Sequence, residues 1–217
     1  MADTQKILDA LAELTSKVEK LDTKVSNLNL KIDQFSKLAA DHEKRISDLE
    51  ISCNNNEQHQ RSHSIRIWKF PLEDENSKDT FKVSQQVYKA LTPILKLATT
   101  NKLLPKVPAM MDIIDIAHPL PKSKNGASSI IVRLRSKLFR EAIMRCKKSY
   151  FEENPDQTFS ISDDLTKPNA QLLKHMRNRP DIDSAWSYNG KIKYKTRKDP
   201  HKICTASLKD QSAQKGV

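Results

Sequence analysis

The 217 residues carry 38 Lys+Arg against 27 Asp+Glu, a formal net charge of +11, with 37% hydrophobic residues and only three glycines. So few glycines exclude phosphate-cradling loops of the Walker or dinucleotide kind. The lack of a long apolar run excludes a membrane-spanning helix, and no stretch reads as a signal peptide.

The charge is uneven. Residues 1–60 hold 8 Lys+Arg and 11 Asp+Glu, a net of −3, while residues 61–217 hold 30 and 16, a net of +14. Such an excess is expected to seek phosphate, on nucleic acid or on an anionic membrane surface. Three widely spaced cysteines, Cys53, Cys146 and Cys204, read as reduced thiols in a cytosolic or nuclear protein.

From Ile7 the apolar side chains recur in alternating steps of four and three: Leu11, Leu14, Val18, Leu21, Val25, Leu28, Ile32, Phe35, Ala39, His42, Ile46, Leu49, Cys53. With no Gly or Pro before Pro71, this heptad seam predicts a coiled-coil rod over residues 7–53, about 70 Å long at 1.5 Å per residue. With Leu11, Val18, Val25 and Ile32 at a, the g positions include Lys17, Lys24, Lys31 and Arg45, and e includes Asp22, Glu43 and Glu50. A parallel in-register pair sets Lys17 near Asp22 and Arg45 near Glu50, whereas an antiparallel pair sets base against base, so the helices are expected to run parallel. Val and Ile at a with Leu at d favour two strands, and the Phe35, Ala39, His42 stretch reads as a weak patch in the rod. A bZIP reading fails, because residues 1–6 offer one lysine where that motif needs a basic helix.

Past a polar joint, "NNNEQHQRSH", the period changes from 3.5 to 2. "SIRIWKFP" predicts a strand. Asp79 caps a helix in "TFKVSQQVYKALTPILKLA", which Pro93 is expected to kink or end. "MMDIIDIA" predicts a second strand, "HPLPKSKNGA" a basic loop, and "SSIIVRLR" a third strand. Ser136 caps "KLFREAIMRCKK", and "TFSIS" is a short fourth strand. The order βαββαβ predicts an α+β sandwich of ferredoxin-like type, the arrangement of RRM domains, with both helices on one side of an antiparallel sheet.

Alternation turns Ile65, Ile67, Ile130, Val132 and Leu134 toward the helices. Arg66, Trp68, Ile131, Arg133 and Arg135 are left on the open face, a platform suited to single-stranded nucleic acid. "SIIVRLR" has no stacking aromatic, so base reading in the usual RRM manner is not expected. The bland alternative is that the arginines merely solvate an exposed face.

After residue 163, Thr166 or Lys167 precedes Pro168 at the start of a helix that ends before Pro180. Then "SAWSYNGKIKYK" forms a hairpin on Asn189-Gly190. Tyr188 faces Lys191 and Trp186 faces Lys193, so one face carries Trp186, Tyr188, Lys191, Lys193 and Lys195 and the other Ala185, Ser187, Ile192 and Tyr194. Trp186 reads equally well as core or as a stacking ring. This last part is too short for an independent core and is expected to dock on the sandwich. The chain thus divides into an oligomerisation rod (1–57), an RRM-like domain (58–162), a small C-terminal domain (163–198) and a polar, basic tail (199–217).

No catalytic constellation emerges. Asp163-Asp164 precede a Pro-started helix and read as helix-start charges rather than a metal pair. Cys53, His59 and His63 lack a fourth zinc ligand, and His118, His175 and His201 have no nucleophile at a telling spacing. Neither enzyme activity, nor a cofactor, nor a metal is expected.

Four features in order, the heptad rod, "RSHSIRIWKFP", "IIVRLRSKLFREAIM" and "FSISDDLTKPNAQLL" followed by "AWSYNGKIKYK", resemble the first-open-reading-frame RNA-binding proteins of LINE-type (non-LTR) retrotransposons over residues 7–196. The resemblance implies a parallel coiled-coil homotrimer carrying three RRM-like domains, each with a small C-terminal domain. It further implies that arginines and lysines in the cleft between those domains grip single-stranded RNA, and that the protein is a nucleic-acid chaperone in a cytoplasmic or nuclear ribonucleoprotein with the element's reverse transcriptase. Where many relatives carry Arg-Glu-Lys-Gly after the second helix, this chain has "CKKSY", so Lys147 and Lys148 bring charge without a guanidinium fork.

Two functions remain. One is a multivalent single-stranded RNA binder, with single-stranded DNA as an alternative ligand. The other is a coiled-coil scaffold whose RRM-like domain binds protein.

Overall fold

The computed structural model describes residues 2–73, 79–121 and 128–208, with the side chains of 2–8 and 10 excepted. The chain divides into two compact units, 1–53 and 54–217. Helix α1 runs from Ala2 to Gln60, followed by a 3-10 turn, Arg61–His63. The ten apolar seam residues named for assembly, Leu11, Leu14, Val18, Leu21, Val25, Leu28, Ile32, Phe35, Ile46 and Leu49, all lie on α1 and are 52–68% exposed in the single chain.

The stretch read as a polar joint is helical up to Gln60. Asn is a modest helix former, but Asn54 and Gln58 stand four apart on one face and find partners outside the helix, and tertiary bonding overrides local propensity.

The larger core belongs to a four-stranded antiparallel sheet of order β2-β3-β1-β4, formed by β1 (Ser64–Trp68), β2 (Ile114–Leu120), β3 (Ser129–Leu134) and β4 (Ser160–Asp163). Helices α2 (Thr80–Thr100) and α4 (Lys137–Glu153) cover one face, with a short α3 (Met110–Ile113) before β2. Ile65, Ile67, Val132, Val87, Leu91 and Ile143 meet there with no exposed surface. Burying each such side chain stabilises the fold by about 1.5–3 kcal/mol. Both helix starts are capped as their residues dictate. Asp79 accepts from the Phe81 and Lys82 amides, and Ser136 accepts from Leu138.

Three local expectations are corrected. Of the kink or end expected at Pro93, the end is excluded, since α2 continues to Thr100. Pro93 and Lys89, whose carbonyl it cannot serve, are both exposed residues, while Ile94, Leu95 and Ala98 beyond them are anchored in the core. "MMDIIDIA" splits into α3 and a strand that extends through His118, Pro119 and Leu120. Proline is tolerated there because β2 is an edge strand. α4 runs five residues past Lys148, to Glu153. Of the basic loop, residues 122–127 lie outside the described residues, as do 209–217 of the tail.

A second core joins α5 (Lys167–Asn178) to a three-stranded sheet of order β5-β6-β7, formed by Ile182–Tyr188, Lys191–Thr196 and Cys204–Thr205. Leu172, Met176, Ile182 and Ile192 are its buried centre. The tail's Cys204 and Thr205 pair with Tyr194 and Lys193, which adds a strand that no alternation foretold in so short a run. Thr166 caps α5 through the Asn169 amide, with Pro168 in the first turn.

The hairpin register is the one predicted: Tyr188 opposite Lys191, Trp186 opposite Lys193, Ser184 opposite Lys195. Asn189 and Gly190 turn at φ 51° and 75°, the pair of positive values a two-residue primed turn requires. A methyl at Gly190 would stand 2.7 Å from Gln58 Cγ. Gly190→Ala is therefore expected to lower the unfolding free energy by about 1–3 kcal/mol, combining left-handed strain with displacement of Gln58. Urea denaturation reads this directly.

Among the described residues no helix is long and apolar enough to cross a membrane.

Candidate nucleic-acid interface

Pleating decides which side chains the sheet shows. Arg66 stands between Ile131 of β3 and Ser162 of β4, and Ile131 stands beside His118 of β2. The four form a row across the face opposite α2 and α4. Trp68 is two residues along, on the same face. The Arg66 Cζ lies 4.7 Å from the Trp68 ring centroid, and Trp68 Nε1 donates to Ser162 Oγ at 2.8 Å. The indole is thereby fixed, with one ring face under a guanidinium. Arg66 Nε is shielded from water and has no hydrogen-bond partner among the described residues.

Arg133 shares this face through the β3 alternation, and its Nε lies 3.5 Å from Asp115 Oδ2. Both side chains are largely exposed, so the pair is weak and leaves the arginine free to exchange partners. Arg135 follows the strand, its side chain exposed and its amide bonded to the Ile113 carbonyl at 2.9 Å. Arg66, Trp68 and Arg133 are thus brought together, with Arg135 next along the chain. Such an array presents stacking planes and forked donors, which suit bases and phosphates respectively.

The hairpin carries a second group. Trp186, Tyr188, Lys191, Lys193 and Lys195 share the face away from the α5 core. Tyr188 is 57% exposed. Trp186 is half-buried and is not among the side chains packed on the α5 core, unlike Ala185 and Tyr194 of the opposite face. Lys193 Nζ donates to Thr205 Oγ1, which holds it over the hairpin.

Lys147 and Lys148 lie elsewhere, on α4 on the far side of the sheet. Lys147 Nζ donates to the Ile161 carbonyl at 2.8 Å, and desolvation, partly offset by Asp163, pulls its pKa below the usual lysine value. Lys148 is exposed and lies 3.7 Å from Glu152.

What holds the hairpin in place escaped the sequence reading. Arg140 and Asp163 form a fully buried ion pair, and Arg140 Nη1 also donates to Asn189 Oδ1 in the turn at 2.6 Å. Asp164 accepts from Arg61 Nη1 at 3.2 Å with both oxygens, and Arg61 Nη2 reaches Glu57 at 2.7 Å. Burial pushes the Asp164 carboxyl above the usual carboxylate range, against the opposing pull of Arg61. Asp163 and Asp164 are therefore arginine partners, not helix-start charges; Thr166 performs the capping.

Beside them lies an uncharged network. Asn54 donates to Asn169 Oδ1 at 3.0 Å and accepts from Thr166 Oγ1 at 2.6 Å. Gln58 donates to the Asp164 carbonyl at 2.9 Å and accepts from the Thr166 amide and from Asn169 Nδ2, each at 3.0 Å. Asn169 Nδ2 also donates to the Gly190 carbonyl at 3.1 Å. Spacing across the chain conceals these partners, since Asn54 and Gln58 lie more than a hundred residues from theirs and Asn169 lies 21 from Gly190. The only local signal was the Asn54/Gln58 step of four.

Among the described residues no group of three or more His, Cys, Asp or Glu side chains gathers to hold a metal. No protein-family model matches the chain, and no curated protein matches it.

Proposed function

We propose that this protein is a homo-oligomeric single-stranded RNA-binding protein and nucleic-acid chaperone that coats retrotransposon RNA into a ribonucleoprotein. The observation that carries the reading is the open sheet face, where Arg66 stacks on Trp68 with Arg133 beside them, opposite the face that α2 and α4 cover. The strand order with both long helices on one face supports a ferredoxin-like, RRM-type sandwich. The exposed apolar line on α1 supports a parallel coiled coil, a homotrimer with a dimer as the alternative, because so long a stripe marks a surface that another chain covers. The hairpin's Tyr188, Lys191, Lys193 and Lys195 supply a second set of contacts, which the Arg140–Asn189 bond positions. The ligand is held mostly by its phosphates, so affinity depends little on sequence. A cytoplasmic or nuclear ribonucleoprotein also holding a reverse transcriptase is the setting this reading implies.

The test is the double variant Lys191→Ala, Lys193→Ala. Each lost phosphate contact removes about 0.7 from the slope of log affinity against log salt, so the slope should become shallower by about 1.4 while sedimentation behaviour stays that of the parent. An unchanged affinity and slope would remove the hairpin from the interface.

A further inference from the structure

We propose that the outer edge of α2 is a second nucleic-acid surface, on the side of the sheet opposite Arg66, which takes the phosphate backbone of another single-stranded segment. This inference rests on the RNA-binding reading. From residue 80 to residue 111 the chain has five lysines, Lys82, Lys89, Lys96, Lys102 and Lys106, and no acidic residue. All five are exposed. Lys82, Lys89 and Lys96 are spaced by seven, nearly two full turns, and so form one stripe with steps of about 10.5 Å. The residues between them on that edge, Gln85 and Pro93, are also exposed, and Val83, Val87, Leu91 and Ile94 on the other side of the helix fix the stripe outward.

A face that merely keeps a helix soluble mixes its signs. Helices α1 and α4 do so, pairing Lys17 with Glu13, Arg45 with Asp41 and Lys148 with Glu152, whereas the shorter α5 shares the one-signed character of α2, with Lys167, Lys174 and Arg177 and no acidic residue. Among the described residues two acidic side chains lie against α2: Asp79, 3.9 Å from Lys82 and already engaged in capping, and Glu73, whose carboxylate accepts from Gln86 Nε2 at 3.4 Å.

Past the helix, Lys102 has φ 56° in the position that closes the last turn, its amide bonded to the Thr99 carbonyl at 3.0 Å. Glycine is the ordinary residue there, and the lysine, like Lys69 at φ 55°, holds the left-handed backbone at some strain.

The stripe itself has no apolar centre of the kind a protein partner needs. Phe81, 53% exposed at its start, offers a ring on which a base can stack. Flexible ammonium groups at regular intervals fit a phosphate chain. With two such faces, one domain holds two strands at once, which is what annealing requires.

The test titrates the full-length protein with a short oligouridylate at concentrations far above the dissociation constant, in low salt, against the triple variant Lys82→Gln, Lys89→Gln, Lys96→Gln. The parent should bind two oligonucleotides per chain and the variant one, with an unchanged melting temperature. A companion variant, Arg66→Ala with Lys191→Ala and Lys193→Ala, should retain the α2 site alone and also bind one. If the parent binds one per chain and the triple-lysine variant still binds one, the second surface is wrong and the first stands. If the companion variant binds as many as the parent while the triple-lysine variant binds none, the α2 surface stands and the open-face assignment is wrong. A parent that binds none overturns both. If an acidic peptide such as oligoglutamate binds the parent but not the triple-lysine variant, and oligouridylate binds both alike, the stripe is a protein site and the proposal is overturned.

Discussion

Replacing Asp163 by Ala is expected to destabilise the 54–217 unit by about 3–5 kcal/mol, since it leaves the Arg140 guanidinium buried without its counter-charge. Against a typical total of about 5–15 kcal/mol this is a large share. The side chains of Arg140 and Asp163 are 3% and 1% exposed, and Lys147 close by adds a second positive charge that Asp163 also compensates. Water cannot easily replace what is lost. Removing both partners is a different experiment. The double variant Arg140→Met, Asp163→Leu takes both charges out of the interior, and much of the loss should be recovered, because desolvating two ions costs about as much as their attraction returns. Asn189, being exposed, can turn its freed amide oxygen to water. Chemical denaturation of the single and double variants checks both statements. A single variant as stable as the parent would mean that Arg140 finds another partner or reaches solvent. The pair's role is then best sought in position rather than in stability: its one bond to the turn is what sets the hairpin face relative to β4.

The second large effect concerns assembly. Leu21→Glu with Leu28→Glu places charges on the seam at residues that are 59% and 57% exposed in the single chain, so the fold of residues 54–217 should be untouched. If the exposed stripe is covered by other copies, the variant should sediment as a monomer. Its apparent affinity for a long single strand should fall by about 10²–10⁴, the factor that effective concentration contributes when several weak sites share one scaffold. The reverse outcome is equally clear. A variant that remains oligomeric, or a monomer that binds a long strand as tightly as the parent, contradicts the avidity account.

How much of this was legible beforehand follows from the range of each interaction. Helix caps at Asp79, Ser136 and Thr166 and the Asn189-Gly190 turn are local, and the residues that make them lie within three positions of their partners. Alternation likewise placed Ile65, Ile67, Ile130, Val132 and Leu134 inside and Arg66 and Arg133 outside. Edges of elements were less legible. Pro93 read as a kink or an end and Pro119 as part of a loop, yet one sits on a solvent-facing helix edge and the other on an edge strand, and neither location is written in the adjacent residues. The polar interior was the least legible of all. Nothing local joins Arg140 to Asp163 and Asn189, or Asn54 and Gln58 to Thr166, Asn169 and Gly190, because those contacts exist only once the sandwich and the hairpin have met. The same distance in sequence explains why Asp163 and Asp164 looked like charges serving the next helix.

The claim that most needs a direct test is that the basic unit binds single-stranded RNA through phosphate contacts. Filter binding of the full-length protein to an unstructured oligoribonucleotide at 50 and 200 mM salt, as working concentrations, decides it. With Arg66, Arg133, Arg135, Lys191, Lys193 and Lys195 each on a phosphate, the slope is about −4 and affinity should fall roughly 300-fold between the two, with little dependence on sequence. Binding that is undetectable at the lower salt, or equal at both, would contradict the account and favour a scaffold whose basic face serves no nucleic acid.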